Sequence, residues 1–494
     1  MKHSTKNNRQ KIIGRSREQK TLDDTYQSKK AEFLAIFGRR RVGKTFLIKT
    51  FFDKKDCIFF YCSGLQNGKL KEQLKEFSKQ IGSVFYNGAS IAPFHRWMDT
   101  FEEVTKAINS TPKGMKIVLF FDELPWMATK RSGLLEALDY YWNRYWSHNN
   151  NLKLIVCGSA ASWIIEKIIN NKGGLHNRVT RTMQLEPFSL HETQEFLSNS
   201  GVKLNQLQIL DLYMALGGIP HYLALVPKGK TAHQAIDELC FQKNGELVNE
   251  FERLFSSLFS ESPTYAALVK FISKYRYGIG QAQLIKAAKV SDGGSTIKKL
   301  KALEEAGFIQ EFIPHGHQDK GKYYKVIDEF CLFYLYWIKP NLKTIQRQVR
   351  SAGYWLSKAK NPEWKTWSGY AFEAVCYKHI PEIRRALHID VGAEIGSWRY
   401  APRLENQVGS QIDLLFDRND GAITLCEIKC NSQPYVIDKT YAKTLMTKID
   451  NYQKIIRTQK QIFLAMITVA GLKPSIYSEE MVNAVVKLDD LFMT

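Results

Sequence analysis

Five apolar residues, Phe33-Leu34-Ala35-Ile36-Phe37, run directly into Gly38-Arg39-Arg40-Arg41-Val42-Gly43-Lys44-Thr45, and a helical pattern follows. A buried strand that breaks at a glycine, passes through G-x-x-x-x-G-K-[ST] and enters a helix forms a loop shaped to hold phosphates. Gly38 and Gly43 let the backbone curl so that successive N–H groups, those of Arg39, Arg40, Arg41 and Val42 among them, point at one anion. Lys44 adds a cation for the outer phosphates, and the Thr45 hydroxyl can ligate magnesium. The expected ligands are ATP and Mg2+; the bland alternative is a degenerate loop that no longer hydrolyses.

Around this motif the chain alternates strand-like and helix-like segments, which predicts a parallel α/β sheet. Strands are expected at Phe33–Phe37, Cys57–Tyr61, Ile117–Phe121 and Leu152–Cys157. Behind a basic tail (1–11), this α/β domain spans 12–258, its last part (189–258) a helical lid on the nucleotide. Residues 259–328 read helix, helix, helix, hairpin, the order of a winged helix-turn-helix. Its recognition helix would run from Ser291 to Ala306, capped by Ser291 or Ser295 and carrying Lys298, Lys299 and Lys301. The wing would add His315, His317, Lys320, Lys322 and Lys325. An aromatic connector (329–365) leads to a small α/β domain at 366–494. The fold class is therefore multidomain α/β.

A hydrolase of this kind needs a second, acid-bearing strand, and Ile117-Val118-Leu119-Phe120-Phe121-Asp122-Glu123 supplies it. The carboxylates emerge at the strand's C-terminal edge, beside the phosphate loop. Asp122 would hold the magnesium, largely through water, and Glu123 would act as general base on the attacking water. The strand Leu154–Cys157 ends at Gly158-Ser159. Ser159 is placed either to sense the γ-phosphate or simply to make a strand-terminal turn.

The net charge of +21 over 494 residues favours a polyanionic partner, most plausibly nucleic acid. The lysines of the winged segment suit sequence-independent phosphate contacts, although the module could equally serve as a protein-contact or lid element. Eight cysteines are scattered without a C-x-x-C pair, which fits a reducing compartment and no zinc site. With no secretory leader and no apolar run long enough to span a bilayer, a cytoplasmic protein without membrane contact is expected. A homo-oligomer or a protein partner stays open.

In the last domain, Gln411–Phe416 and Ile423–Lys429 place Asp413, Glu427 and Lys429 on two adjacent strands, with Glu427 and Lys429 on one face. An Asp and a Glu so placed can hold magnesium against a phosphodiester while a lysine positions the nucleophile. Glu373, on the helix beginning near Gly369, offers a third acid. The alternative is an ordinary salt-bridged sheet edge, since Glu-x-Lys also occurs at Glu18–Lys20 and Glu363–Lys365.

Ile13-Gly14-Arg15 with Glu18, the arginine-rich loop, Phe121-Asp122-Glu123, Gly158-Ser159 and Gly217-Gly218-Ile219-Pro220 together resemble the archaeal-type ATPase family, AAA-like P-loop ATPases of archaea and bacteria. The resemblance covers roughly 12–230. It implies that Gly218 and Pro220 approach the nucleotide. Arg178 matches a family arginine that could stabilise transition-state charge; its other reading is a surface or phosphate-contacting arginine. The C-terminal layout resembles the PD-(D/E)xK restriction-endonuclease-like domain that often follows this family, with Ile412 where the superfamily name has proline. The combined expectation is an ATP-hydrolysing, DNA-acting protein with a Mg2+-dependent nuclease domain. Its rival is a regulatory ATPase switch whose winged helix and C-terminal domain are binding modules.

Overall fold

The computed structural model describes residues 11–171, 173–288, 293–316, 321–347, 353–400 and 409–493. The chain divides into two compact units, Met1–Pro187 and Phe188–Thr494.

In the first unit, β1 (Glu32–Phe37), β2 (Ile58–Ser63), β3 (Ile117–Asp122), β4 (Leu152–Gly158) and β5 (Arg181–Gln184) form one parallel sheet in the order β2-β3-β4-β1-β5. β3 and β4 are buried along their whole length, as unbroken apolar runs in a sheet covered on both faces must be. One face packs an aromatic core that includes Phe60, Phe77, Trp97, Phe101, Phe121 and Trp146. The Trp146 indole N–H is satisfied by the Thr105 hydroxyl at 3.0 Å. β5 is the strand that sequence pattern missed: Arg-Thr-Met-Gln buries only Met183 on a sheet edge, so it carries no apolar run.

The second unit holds the helices of 188–258, then a three-stranded antiparallel sheet of β6 (Ile279–Gly280), β7 (Ile309–Phe312) and β8 (Tyr323–Val326) with helices Ser262–Ile272, Gln281–Ala288 and Gly294–Glu305. A second five-stranded sheet follows: β9 (Glu394–Tyr400), β10 (Ser410–Asp417), β11 (Ala422–Lys429), β12 (Gln461–Thr468) and β13 (Ala484–Val486), in the order β13-β12-β11-β10-β9. β9, β10 and β11 pair antiparallel, and β11, β12 and β13 pair parallel.

The helical stretch 189–258 falls in the second unit, where the aromatic connector packs on it. Phe330 meets Tyr222, Tyr334 stacks on Phe251 at 4.8 Å and Trp355 stacks on Phe241 at 5.0 Å. Asp237 accepts from the backbone N–H groups of Gly353 and Trp355. The helix expected from Ser291 begins at Gly294 with Gly293 as its N-cap, and Ser295 instead accepts from Lys299; Ser291, like His317 and Lys320, lies outside the described residues. Finally, His315 and Lys325 are turned inward. Tyr452 donates to His315, which also faces Asp417, and the Lys325 ammonium sits 3.2 Å from the centre of the Tyr377 ring. Burial lowers the Lys325 pKa to about 7.

One buried histidine pins the start of this unit. The Leu190 N–H donates to His379 Nε2 at 3.0 Å, while His379 Nδ1 donates to the Val375 carbonyl at 2.8 Å. Burial is the main cause that lowers its pKa from 6.5 to about 4. Below pH 6.5 the unfolded chain takes up a proton that the folded chain refuses until about pH 4, so stability is complete above that window and is lost as pH falls through it. Urea unfolding followed from pH 7 to 4.5 should show this loss in the second unit, and His379→Gln should flatten it by about one proton.

Candidate functional site

The loop after β1 is fixed by a close approach. Gly38 has φ +142°, and a Cβ there would lie 2.2 Å from the Leu185 carbonyl oxygen just beyond β5, so only glycine fits. Arg41 (φ 73°) and Gly43 (φ 92°) turn the chain into helix Lys44–Phe52. The buried Arg15 guanidinium braces the loop from outside by donating to the Val42 carbonyl at 3.3 Å.

Lys44 reaches back and donates to the carbonyls of Gly38 and Arg39, both at 2.9 Å. Burial pulls its pKa down, against the opposing charges of Asp122 and Glu123. The Thr45 hydroxyl donates to Asp122 Oδ2 at 2.7 Å, so the loop's hydroxyl and the end of β3 meet. Burial raises the Asp122 pKa, and the bond from Thr45 opposes that rise. Glu123 follows in a left-handed conformation (φ 46°), a strained arrangement that non-glycine residues adopt chiefly where function requires it. Its carboxylate accepts from the Ser159 N–H at 3.0 Å and from the Ser159 hydroxyl. Ser159 thus acts on Glu123, a contact that neither reading of the sequence foresaw.

This geometry gathers Gly38–Thr45, Asp122 and Glu123 at one sheet edge. A hydroxyl and a carboxylate 2.7 Å apart beside a buried ammonium fit a magnesium–triphosphate, because a divalent ion could take both oxygens. Arg178 lies in an exposed turn, its N–H bonded to the Leu175 carbonyl. Gly218 and Pro220 are in the second unit. There Gly218 packs against Phe188, whose N–H donates to the Gly218 carbonyl at 2.6 Å, and Pro220 starts the short helix Pro220–Leu223.

The C-terminal acids form a second cluster. The pairing of β10 with β9 shifts register between Ile412 and Leu415, an irregularity that takes in Asp413 and Leu414. Such register shifts re-aim side chains, and here Asp413 Oδ2 accepts from the Ile428 N–H across on β11 at 3.2 Å. Glu427 is buried and accepts from Lys429 (2.8 Å), Lys448 (2.7 Å) and the Tyr441 hydroxyl (2.7 Å). Burial acts to raise its pKa, and the two lysines overcome this and leave it below the ordinary value. Asp413 has no such pair. Burial first, then the charges of Glu427 and Glu373, push its pKa up to about 7. Glu373 is held by Arg276 at 2.5 Å, and among the described residues no group of three or more acids, histidines or cysteines converges as metal ligands. Glu373, expected as a third acid of the site, is paired with an arginine from outside the sheet.

Lys448 and Arg276 were missed. Lys448 shares the buried stripe of helix Lys439–Ile456 with Leu445 and Tyr452, and that spacing was the available signal. Arg276 lies just before β6, with no local pattern to mark it.

The first unit's geometry defines a P-loop ATPase domain, and the protein is an ATP-hydrolysing enzyme. Residues 13–226 match the family model described as an ATPase domain predominantly from Archaea. The match runs past Pro187 into the second unit and includes Gly217–Pro220. Over 453 residues, 90% of this chain and 94% of the relative, the sequence is 24% identical to an uncharacterized protein of Methanocaldococcus jannaschii. Among solved structures, the Walker-type ATPase of Pyrococcus abyssi is 20% identical, with 66% of this chain and 96% of that chain covered and a TM-score of 0.48. The ORC2 protein of Aeropyrum pernix is 13% identical, with 69% and 98% covered and a TM-score of 0.44. Among the described residues, no helix is long and apolar enough to cross a membrane.

Glu123→Gln should retain ATP binding and lower hydrolysis by about 10²–10⁴-fold, the usual contribution of a general base. Ser159→Ala removes the hydroxyl donor to that carboxylate while keeping the backbone N–H donor, and should lower kcat about tenfold with KM little changed. Steady-state phosphate release checks both.

Proposed function

We propose that this ATPase acts on DNA and that its C-terminal sheet carries a Mg2+-dependent nuclease site. The observation that carries the reading is the unbalanced carboxylate pair, with Asp413 aimed by the register shift toward the strand that bears Glu427 and Lys429. An enclosed Asp413 beside two further acids is short of positive charge, which a divalent ion would relieve. Asp413 and Glu427 would hold Mg2+, which when bound would activate water and neutralise charge on the phosphodiester. Lys429 would orient the nucleophile, and Lys448 would keep Glu427 ionised.

In the first unit Lys44 and the Gly38–Thr45 backbone bind the phosphates, Thr45 and Asp122 hold Mg2+, and Glu123 deprotonates water under the control of Ser159. Gly218, Pro220 and Arg178 act at the nucleotide as the family resemblance implies. The helix–strand–helix–helix–strand–strand order of 262–326 supports a winged helix. Its cations among the described residues are Lys298, Lys299, Lys301 and Lys322, of which Lys299, Lys301 and Lys322 pair with Glu261, Glu305 and Glu311. A second reading is favoured by the double lysine clamp on Glu427: a salt-bridged sheet edge in a regulatory ATPase that binds DNA or a protein without cutting it.

Plasmid, linear and single-stranded DNA should be degraded in Mg2+ by the wild type, and degradation should vanish in Asp413→Ala and Lys429→Ala. Dependence on ATP, abolished in Lys44→Ala, would place the two activities in one cycle. Intact ATP hydrolysis with no cleavage of any substrate would select the regulatory reading.

A further inference from the structure

Beside the carboxylates lies a second cavity, of about 700 Å3, between the β6–β8 sheet and the C-terminal sheet. Several rings stand in its walls: Tyr275 and Tyr277 from the turn before β6, Phe312 and Tyr323 from β7 and β8, Tyr370 and Tyr377 from helix Pro362–Lys378. The smaller cavity of about 490 Å3 contains Glu427, Lys429 and Lys448. Arg276, Tyr277, Glu373, Gln411 and Asp413 line both, so the two are continuous.

Cations are interleaved with these rings. The Arg276 guanidinium lies 5.2 Å from the centre of Tyr277 and 5.4 Å from that of Tyr370, and Arg399 lies 5.4 Å from Tyr277 on β9's side. Tyr277 itself is 38% exposed, so a ligand can reach it beside the two guanidinium groups. Planar rings alternating with guanidinium planes are the surface on which unstacked bases settle, whereas a duplex keeps its base faces covered. The cavity volume suits one or two nucleotides and is too small for a duplex.

We propose that this cavity binds an unpaired nucleotide of a DNA strand, the base stacked at Tyr277 and the flanking phosphate directed by Arg276 into the carboxylate cavity. The inference rests on the nuclease reading for the role of the carboxylate cavity, but not for base binding itself. It assigns to the winged segment a direct part in choosing substrate: a strand end, overhang or flap enters, and a fully paired blunt end does not. Arg276 then has two states, paired with Glu373 without DNA and turned to the phosphate with it.

The test uses the full chain in EDTA, where no Mg2+-dependent cleavage occurs, and oligonucleotides carrying 2-aminopurine in a single-stranded overhang or inside a blunt duplex. Overhang fluorescence should be quenched on binding and blunt-duplex fluorescence should not. Tyr277→Ala should weaken overhang binding by roughly 5- to 100-fold, the range for losing one stacked base, while Tyr277→Phe retains it. Arg399→Ala should weaken binding with the same preference. Equal affinity for the two DNAs without quenching, or an unaffected Tyr277→Ala, would overturn the proposal. Competition by free dAMP at equal concentration would also overturn it and give the cavity to a free nucleotide. Quenching without cleavage in Mg2+ would keep the pocket and remove the nuclease reading; cleavage without quenching would do the reverse.

Discussion

A buried ammonium must be paired, and in the first unit that requirement organises the whole sheet edge. Lys44 is enclosed, and leaving its charge unpaired would cost several kcal/mol, roughly. Its loop solves the problem with its own carbonyls at Gly38 and Arg39. Those carbonyls face inward only because Gly38 takes a conformation closed to other residues, pressed against the Leu185 carbonyl. The edge strand β5, the loop and the lysine therefore interlock. With the loop fixed, Thr45 falls within hydrogen-bond reach of Asp122, two strands away in the sheet order, and Asp122 and Glu123 are held at the same edge.

In the second unit three buried acids meet three cations, and the cations are shared among them unevenly. Glu427 receives two lysines and a tyrosine hydroxyl; Glu373 receives Arg276; Asp413 receives only amide donors from Ile428 and Gln411. A buried acid with acids around it and neutral donors is expensive to ionise, so Asp413 is pushed up to about 7; burial raises the Glu373 pKa too, against the pull of Arg276. Both Asp413 oxygens accept from amide N–H groups, a pair of contacts that needs a carboxyl group, since an asparagine offers a single acceptor oxygen. Perturbed acids of this kind are characteristic of sites that await a cation or a proton.

Features that are local in sequence were legible and those that arise between distant segments were not. The phosphate loop is eight contiguous residues after an apolar run, and the acid pair ends another apolar run, so periodicity sufficed for β1, β3 and β4. β5, β9 and β13 were missed because their burial is partial: β5 covers one methionine, and β9 buries only Trp398 fully. The spacing of Glu427 and Lys429 put them on one face, as their 2.8 Å contact requires. No pattern could have told that the inward side of a wing lysine would lie on Tyr377, or that Arg276 would reach Glu373 across 97 residues. Such contacts depend on how the β6–β8 sheet packs against the C-terminal sheet, and composition does not encode that.

The aromatic connector explains how the helices of 188–258 and the acid-bearing helix Pro362–Lys378 are mechanically joined. Trp355 stacks on Phe241 of the former stretch and meets Trp364 of the latter edge to face at 5.2 Å, while Phe333 contacts both Trp355 and Trp367. Close-packed rings do not deform gradually; they hold or they repack. A displacement of the 188–258 helices must therefore carry Pro362–Lys378 with it or break several ring contacts at once. That helix presents Tyr370, Glu373 and Tyr377 to the two cavities. The part of the chain that shares the ATPase family match beyond Pro187 is thus built into the same core as the carboxylates.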